Sequence, residues 1–258
     1  EDNSFEELAS TRAVNWQLAS RAQWLDENTI IYNDIDKDTQ CSIKFDVVAK
    51  EKIIQYKRPF WDISHDKKYG ASLNFSRIKL HRPGYGYAGK NIDDMKEILN
   101  IFSLENDSLI YSISLTGILE MVNFKDKIND NIYLNHIVWS PCGKKLITIF
   151  HFTDKITNKR VVNPVLIDLK TKKIDLLHNN GNFSHHTFVD ENRILAYLKI
   201  NDDYCFGVWS KDIGWKKIKK SMPTQDGHPT YIKTIDKIVV DSYPNRLGIM
   251  SLYLGSLN

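Results

Sequence analysis

His136-Ile-Val-Trp-Ser-Pro-Cys-Gly-Lys-Lys-Leu-Ile-Thr148 is the stretch that decides the fold. An apolar, aromatic run meets a Ser-Pro-Cys-Gly turn, and an apolar strand follows at once. The same order occurs twice before it, in Ala22-Gln-Trp-Leu-Asp-Glu-Asn-Thr-Ile-Ile-Tyr32 and Trp61-Asp-Ile-Ser-His-Asp-Lys-Lys-Tyr-Gly-Ala-Ser-Leu73. It occurs twice after it, in His185-His-Thr-Phe-Val-Asp-Glu-Asn-Arg-Ile-Leu-Ala-Tyr197 and His228-Pro-Thr-Tyr-Ile-Lys-Thr-Ile-Asp-Lys-Ile-Val-Val240. The last three starts are 49 and 43 residues apart, close to the roughly 40 to 50 residues of a four-stranded propeller blade. The repeat predicts an all-β chain, a β-propeller of four-stranded blades with five units visible in one domain over 1–258.

Outward from these units, β-branched and aromatic runs at 29–32, 43–48, 146–152, 165–169, 194–200 and 237–241 read as strands. The wide gap between the second and third units predicts a loop and short-helix insertion at about 81–102, with helical apolar spacing over 92–102. No sixth unit is visible, and 251–258 reads as a strand rather than a finished blade. Either residues 1–17 complete a blade with the C-terminal strands, or the ring is open and belongs to a larger propeller. The chain opens at Glu1 with neither Met nor a basic-then-apolar leader, which reads as a processed or trimmed chain.

Composition narrows the function classes. Lys and Arg number 35 against 32 Asp and Glu, a net charge of +3, which makes no electrostatic case for nucleic acid or a membrane surface. No apolar run approaches the roughly 18 to 20 residues of a membrane helix. Cys41, Cys142 and Cys205 are widely spaced and form no CxxC pair, so a zinc ribbon is excluded. Free thiols in a reducing compartment, the cytoplasm, are expected; a disulfide between two of them is the alternative. The five lysines within 211–220 are interleaved with Ile213, Trp215 and Ile218, as on an outer blade surface.

Three groups of residues could carry chemistry. The first strand of a blade lines the central channel, and three consecutive units open that strand on His136, His185 and His228. Imidazoles converging from three blades suit one divalent ion (Mn, or Fe, Ni or Zn) or an anionic ligand; hydrogen bonding to neighbouring backbone is the plain alternative. His186 alternates to the other strand face and reads as structural. The second group, Arg77-Ile-Lys-Leu-His-Arg82-Pro-Gly-Tyr85-Gly-Tyr87, hangs guanidinium and phenol groups from a glycine-rich loop, chemistry that suits an acidic sugar or simply packs the loop. Its glycines do not match a nucleotide-binding spacing. In the third group, Gln225, Asp226 and Asp241 could support His228, with Tyr243 close in sequence, or could serve only as turn residues. Arg21, Gln23 and Trp24 open the first unit and either line the channel or pack between blades. No nucleophile motif is present.

The units around His136 and Asp226-Gly-His-Pro-Thr-Tyr231 resemble the TolB-like propeller repeats of oligogalacturonate lyases. Arg21-Ala-Gln-Trp-Leu, Arg82-Pro-Gly-Tyr-Gly-Tyr, Ser184-His and Asp241-Ser-Tyr-Pro look like a group of bacterial polysaccharide-locus propellers within that superfamily. The resemblance runs from about residue 15 to about residue 253. It implies an acidic saccharide partner, for which Arg21, Gln23, Trp24, Arg77, Tyr87, Asp226, Asp241 and Tyr243 are the candidate binding residues among the groups above. It also implies a manganese-type ion on His136, His185 and His228, and metal-assisted β-elimination in which Arg82 or a His takes the proton; Tyr85, or else Tyr87, is the candidate to donate one to the leaving oxygen. A non-catalytic propeller binding a glycan, peptide or protein is the competing expectation.

Overall fold

The computed structural model describes residues 4–122, 128, 131–178, 180–218 and 222–257. It divides into two compact units, Glu1–Leu119 and Glu120–Asn258.

The first unit carries two antiparallel sheets in simple meander order. One is β1 (Gln23–Trp24), β2 (Thr29–Asp36), β3 (Thr39–Asp46) and β4 (Glu51–Tyr56); the other is β5 (Asp62–Ile63), β6 (Tyr69–Leu73), β7 (Glu97–Ser103) and β8 (Leu109–Ser114). Ile31 and Tyr56 from one sheet pack with Ile63 and Phe102 from the other. Burying such side chains completely contributes about 1.5 to 3 kcal/mol each.

The second unit repeats the plan. Its sheets are β9 (Tyr133–Trp139), β10 (Lys145–Thr153), β11 (Arg160–Asp168) and β12 (Lys173–Leu176), then β13 (Phe183–Phe188), β14 (Arg193–Ile200), β15 (Asp203–Ser210) and β16 (Gly214–Lys217). A three-stranded sheet follows, of β17 (Pro229–Ile232), β18 (Lys237–Asp241) and β19 (Leu252–Gly255). β14 shows why these strands read as unbroken apolar runs. Ile194, Ala196 and Leu198 pack on β10 and β11, while Leu195 and Tyr197 pack on Ile238 and Val240 of β18. A strand covered on both faces has no polar side. Hairpin turns are closed by one device: Asp26, Asp46, Asp154, Asp168 and Asp190 each accept two amide N–H groups from the residues just after them.

Each of the five sequence units falls at the start of one sheet. Three expectations need correction. The helix over 92–102 is a bend followed by β7, in which Ile98 to Phe102 are all buried. Two-sided burial produces an apolar run that mimics helical spacing, and Asp93, within the expected helix, is an ion-pair partner of Arg58 at 2.8 Å. The insertion begins earlier, with helix α1 (Phe75–His81), whose cap is the Asn74 side chain accepting from the Arg77 amide at 2.9 Å. Residues 4–17 contain no strand; Thr11 and Arg12 instead bond to Asn33 and Asp34 at the side of β2. All three cysteines are free thiols. Lys219 and Lys220 lie outside the described residues.

Candidate functional site

Two β-bulges create the site in the second unit. Between Asn135↔Ile149 and Val138↔Ile147, two residues of β9 oppose one of β10. Between Phe183↔Leu198 and His186↔Ala196, two residues of β13 oppose one of β14. His136 occupies the first bulge with φ 53°, and His185 occupies the second. A bulge turns a side chain out of the strand's regular alternation. Here it turns two imidazoles toward each other, with ring centroids 5.6 Å apart. His228, immediately before β17, places its ring 3.9 Å from that of His185. Tyr243 lies 6.3 Å from both His185 and His228. The three histidines expected from the repeat are therefore brought together.

Carboxylates orient two of these rings. Asp241 accepts from Nδ1 of His228 at 2.9 Å and also from the His228 backbone amide. Asp226 accepts from the Gly227 amide at 2.9 Å and also reaches the neighbouring strand. It accepts from Ser184 Oγ at 2.6 Å and lies 3.2 Å from Nδ1 of His185. A carboxylate can only accept, so each Nδ1 turns a proton toward it and each Nε2 is the ring atom left to face a ligand. Burial raises the Asp241 carboxyl, but hydrogen bonds from the His228 amide and ring, with the charges of His228 and His185, outweigh it and hold the group below its ordinary value. Gly227 makes the approach possible: a Cβ there would sit 1.9 Å from the Asp241 carbonyl oxygen.

His186 points away, as alternation requires. It is buried against the Ser184, His136 and Ile147 carbonyls, and burial pushes its imidazole down to about 4. The donor chemistry of the cluster suits a divalent ion. Even so, among the described residues no three His, Cys, Asp or Glu side chains are gathered so as to hold one ion. The rings as they stand are not a coordination shell.

A cavity of about 260 Å³ opens beside the histidines and shares Ser184 and Asp226 with them. Its other walls include Arg160, Asn182 and the stacked pair Tyr197–Tyr204, with centroids 6.1 Å apart. Tyr204 is half exposed and its hydroxyl donates to Asn182 Oδ1 at 2.8 Å. Arg160 is exposed at the rim, and its guanidinium makes no ion pair among the described residues. Sequence reading missed Arg160, Asn182, Tyr197 and Tyr204. The cue was there: Asn201 and Asp202, at φ 48° and 70°, form a two-residue hairpin turn that sets Tyr204 and Tyr197 on one face. A larger cavity, about 460 Å³, lies at the turns of β11, β13 and β15, with Phe188 and Trp209 in its walls; it includes none of the residues singled out above.

The remaining candidates belong to the first unit. Arg21 donates to the Trp61 carbonyl at 2.8 Å, and burial lowers its guanidinium, with Asp62 and Tyr87 opposing. Tyr87 is wholly buried, stacked on Phe75 at 4.6 Å, and its hydroxyl accepts from Asn33 at 3.2 Å. Arg77 is buried and donates to the Met95 carbonyl at 3.1 Å. These three are packing positions. Arg82 lies 4.5 Å over the ring of the buried Tyr85, Gln23 is half-buried and donates to the Arg21 carbonyl, and Trp24 is 60% exposed.

No protein-family model matches the chain, and no curated protein sequence matches it. Solved structures do. Putative TolB from Agrobacterium tumefaciens superposes with a TM-score of 0.51 at 13% identity, over 90% of this chain and 75% of that one. The fold is a β-propeller. Hydrazine synthase of Kuenenia stuttgartiensis gives a TM-score of 0.45 at 13% identity, over 86% of this chain and 64% of that one. The propeller domain of the Trilobed protease from Pyrococcus furiosus gives 0.40 at 14%, over 72% and 49%. This chain thus spans between about half and three quarters of the length of these three structures. At such identities the likeness speaks for the fold alone.

Proposed function

We propose that this propeller binds an acidic saccharide at the first-strand ends of its second unit. The observation that carries the reading is Asp226, which is shared between the oriented histidine pair and a tyrosine-walled cavity with an unpaired arginine at its rim. Each group has a task that a charged sugar ring requires. Arg160 offers a planar fork to a carboxylate. The exposed face of Tyr204 stacks on the C–H face of a pyranose. The carboxylate of Asp226 accepts from sugar hydroxyls, the Nε2 atoms of His185 and His228 face them, and Tyr243 closes the far side.

Metal-assisted β-elimination, which the oligogalacturonate lyase resemblance implies, is the second reading. The convergence of His136, His185 and His228 favours it, but their donors are not gathered about one point. Binding without chemistry is therefore the better-supported function. Calorimetric titration with an oligogalacturonate and with a neutral oligoglucoside separates the possibilities. The acidic chain should bind and the neutral chain bind at least ~10-fold more weakly, the difference vanishing in Arg160→Ala, since a charge-assisted contact contributes about 1.5 to 3 kcal/mol. Equal affinity for both, or none for either, refutes the reading. New ultraviolet absorbance from an unsaturated uronate, lost in His185→Ala, would establish the lyase instead.

A further inference from the structure

The cavity of about 460 Å³ in the second unit lies at the end of β13 far from His185. Its walls bring Leu166 and Leu177, from β11 and the end of β12, together with Phe188, Ile194 and Trp209 of the next sheet. All five belong to the apolar core between these sheets, Leu177 and Trp209 as its partly buried members. The core therefore opens to solvent here, at a volume within the roughly 300 to 1,000 Å³ of small-molecule sites. The matching cleft of the first unit is built differently. Lys44, Lys67 and Lys68 stand in its walls, and the buried Tyr56 there donates to the Leu104 carbonyl at 2.9 Å. The broad apolar wall is thus particular to the second unit and not a by-product of the repeat.

Three lysines and three carboxylates surround that wall. The carboxylates are already engaged. Asp168 accepts from the Lys170 and Thr171 amides, Glu191 accepts from the Cys142 amide and thiol, and Asp175 pairs with Lys173 at 2.6 Å. Lys145 donates to the Glu191 carbonyl at 3.2 Å. Lys211 is exposed, and among the described residues it makes no ion pair. An incoming ligand therefore meets an apolar wall and, beside it, an ammonium group with N–H donors to give.

We propose that this cleft binds a small amphipathic carboxylate, a compact apolar body with one anionic head. The body covers Phe188, Ile194 and Trp209, taking apolar surface out of water on both sides of the contact. The head meets the Lys211 ammonium, a point charge that imposes no planar geometry on its partner. A neutral molecule with the same body leaves Lys211 unused, and a cation is repelled by it. The cleft shares no residue with the histidine cluster or with the cavity beside it, so this inference stands apart from the saccharide reading.

Calorimetric titration of the 258-residue chain with octanoate, 1-octanol and octylammonium tests this. Octanoate should bind saturably at one site per chain, at least ~10-fold more tightly than either analogue, since the charge-assisted contact belongs to it alone. Its binding should change the tryptophan emission, and Trp209→Phe should remove that change while the heat of binding remains. Lys211→Glu, at an exposed position, should keep the parent's circular dichroism spectrum and weaken octanoate at least ~10-fold with 1-octanol unaltered. No saturable binding of octanoate overturns the proposal, as do equal affinities for the three probes. So does parent-like octanoate binding in Lys211→Glu, or displacement of octanoate by an oligogalacturonate, which would put the probe in the other cavity.

Discussion

Two residues show how packing fixes what the chain can do. Gly227 has no room for a side chain, because a Cβ would strike the Asp241 carbonyl and also lie 2.8 Å from Val240 Cγ1. Backbone cannot yield as a side chain can. Gly227→Ala should therefore lower unfolding stability by roughly 2 kcal/mol or more and should loosen the His228–Asp241 contact, both readable by urea denaturation and ligand titration. Tyr87 carries a prediction about pH. Burial pushes its phenol up to about 12, with the Asn33 hydrogen bond and the Arg21 charge opposing. The raised value favours the neutral phenol in the folded chain, whereas tyrosine in the unfolded chain ionises near pH 10. The contribution is fully present below about pH 10 and is lost as the pH climbs toward about 12. At about pH 11 the loss is about 1.4 kcal/mol. Tyr87→Phe cannot ionise. It should be less stable than the parent by about 1 kcal/mol near neutrality, for the missing Asn33 bond, and should match or exceed the parent at about pH 11. A constant gap across that range would contradict the assignment.

Among the elements, the strands and their order were legible, and the ends of the insertion were not. Turn chemistry, an Asp followed by polar residues, marks hairpins locally, so each unit start could be read from a few adjacent residues. β7 could not be read that way, because its identity depends on being covered on both faces by distant chain. The histidines were found by their common repeat position. What brings His136 and His185 together is a pair of bulges, which depends on the register of β10 and β14 and leaves no mark in a single strand's sequence. The first bulge holds His136 in the left-handed region, where a non-glycine residue costs about 1 to 2 kcal/mol. His136→Gly should accordingly unfold at higher urea than His136→Ala, by about 1 kcal/mol. The reverse order would mean that the bulge does not persist without its histidine.

For the whole molecule, propeller architecture was legible because it repeats, and function was less so because it lies in side chains that the repeat does not determine. Asp226 was expected beside His228, but the fold gives it to His185 and Ser184 on the adjoining sheet. Arg160 and Tyr204, on separate sheets, face one cavity only after folding. The central claim is that the ligand meets His185 and His228 through their Nε2 atoms. Nuclear magnetic resonance of isotope-labelled histidine side chains, titrated with an oligogalacturonate, tests it most directly. Among the eight histidines, the resonances of His185 and His228 should shift in saturable fashion with one common affinity, and those of His65 and His81 should stay fixed. Saturation of binding with His185 and His228 unmoved would contradict the account.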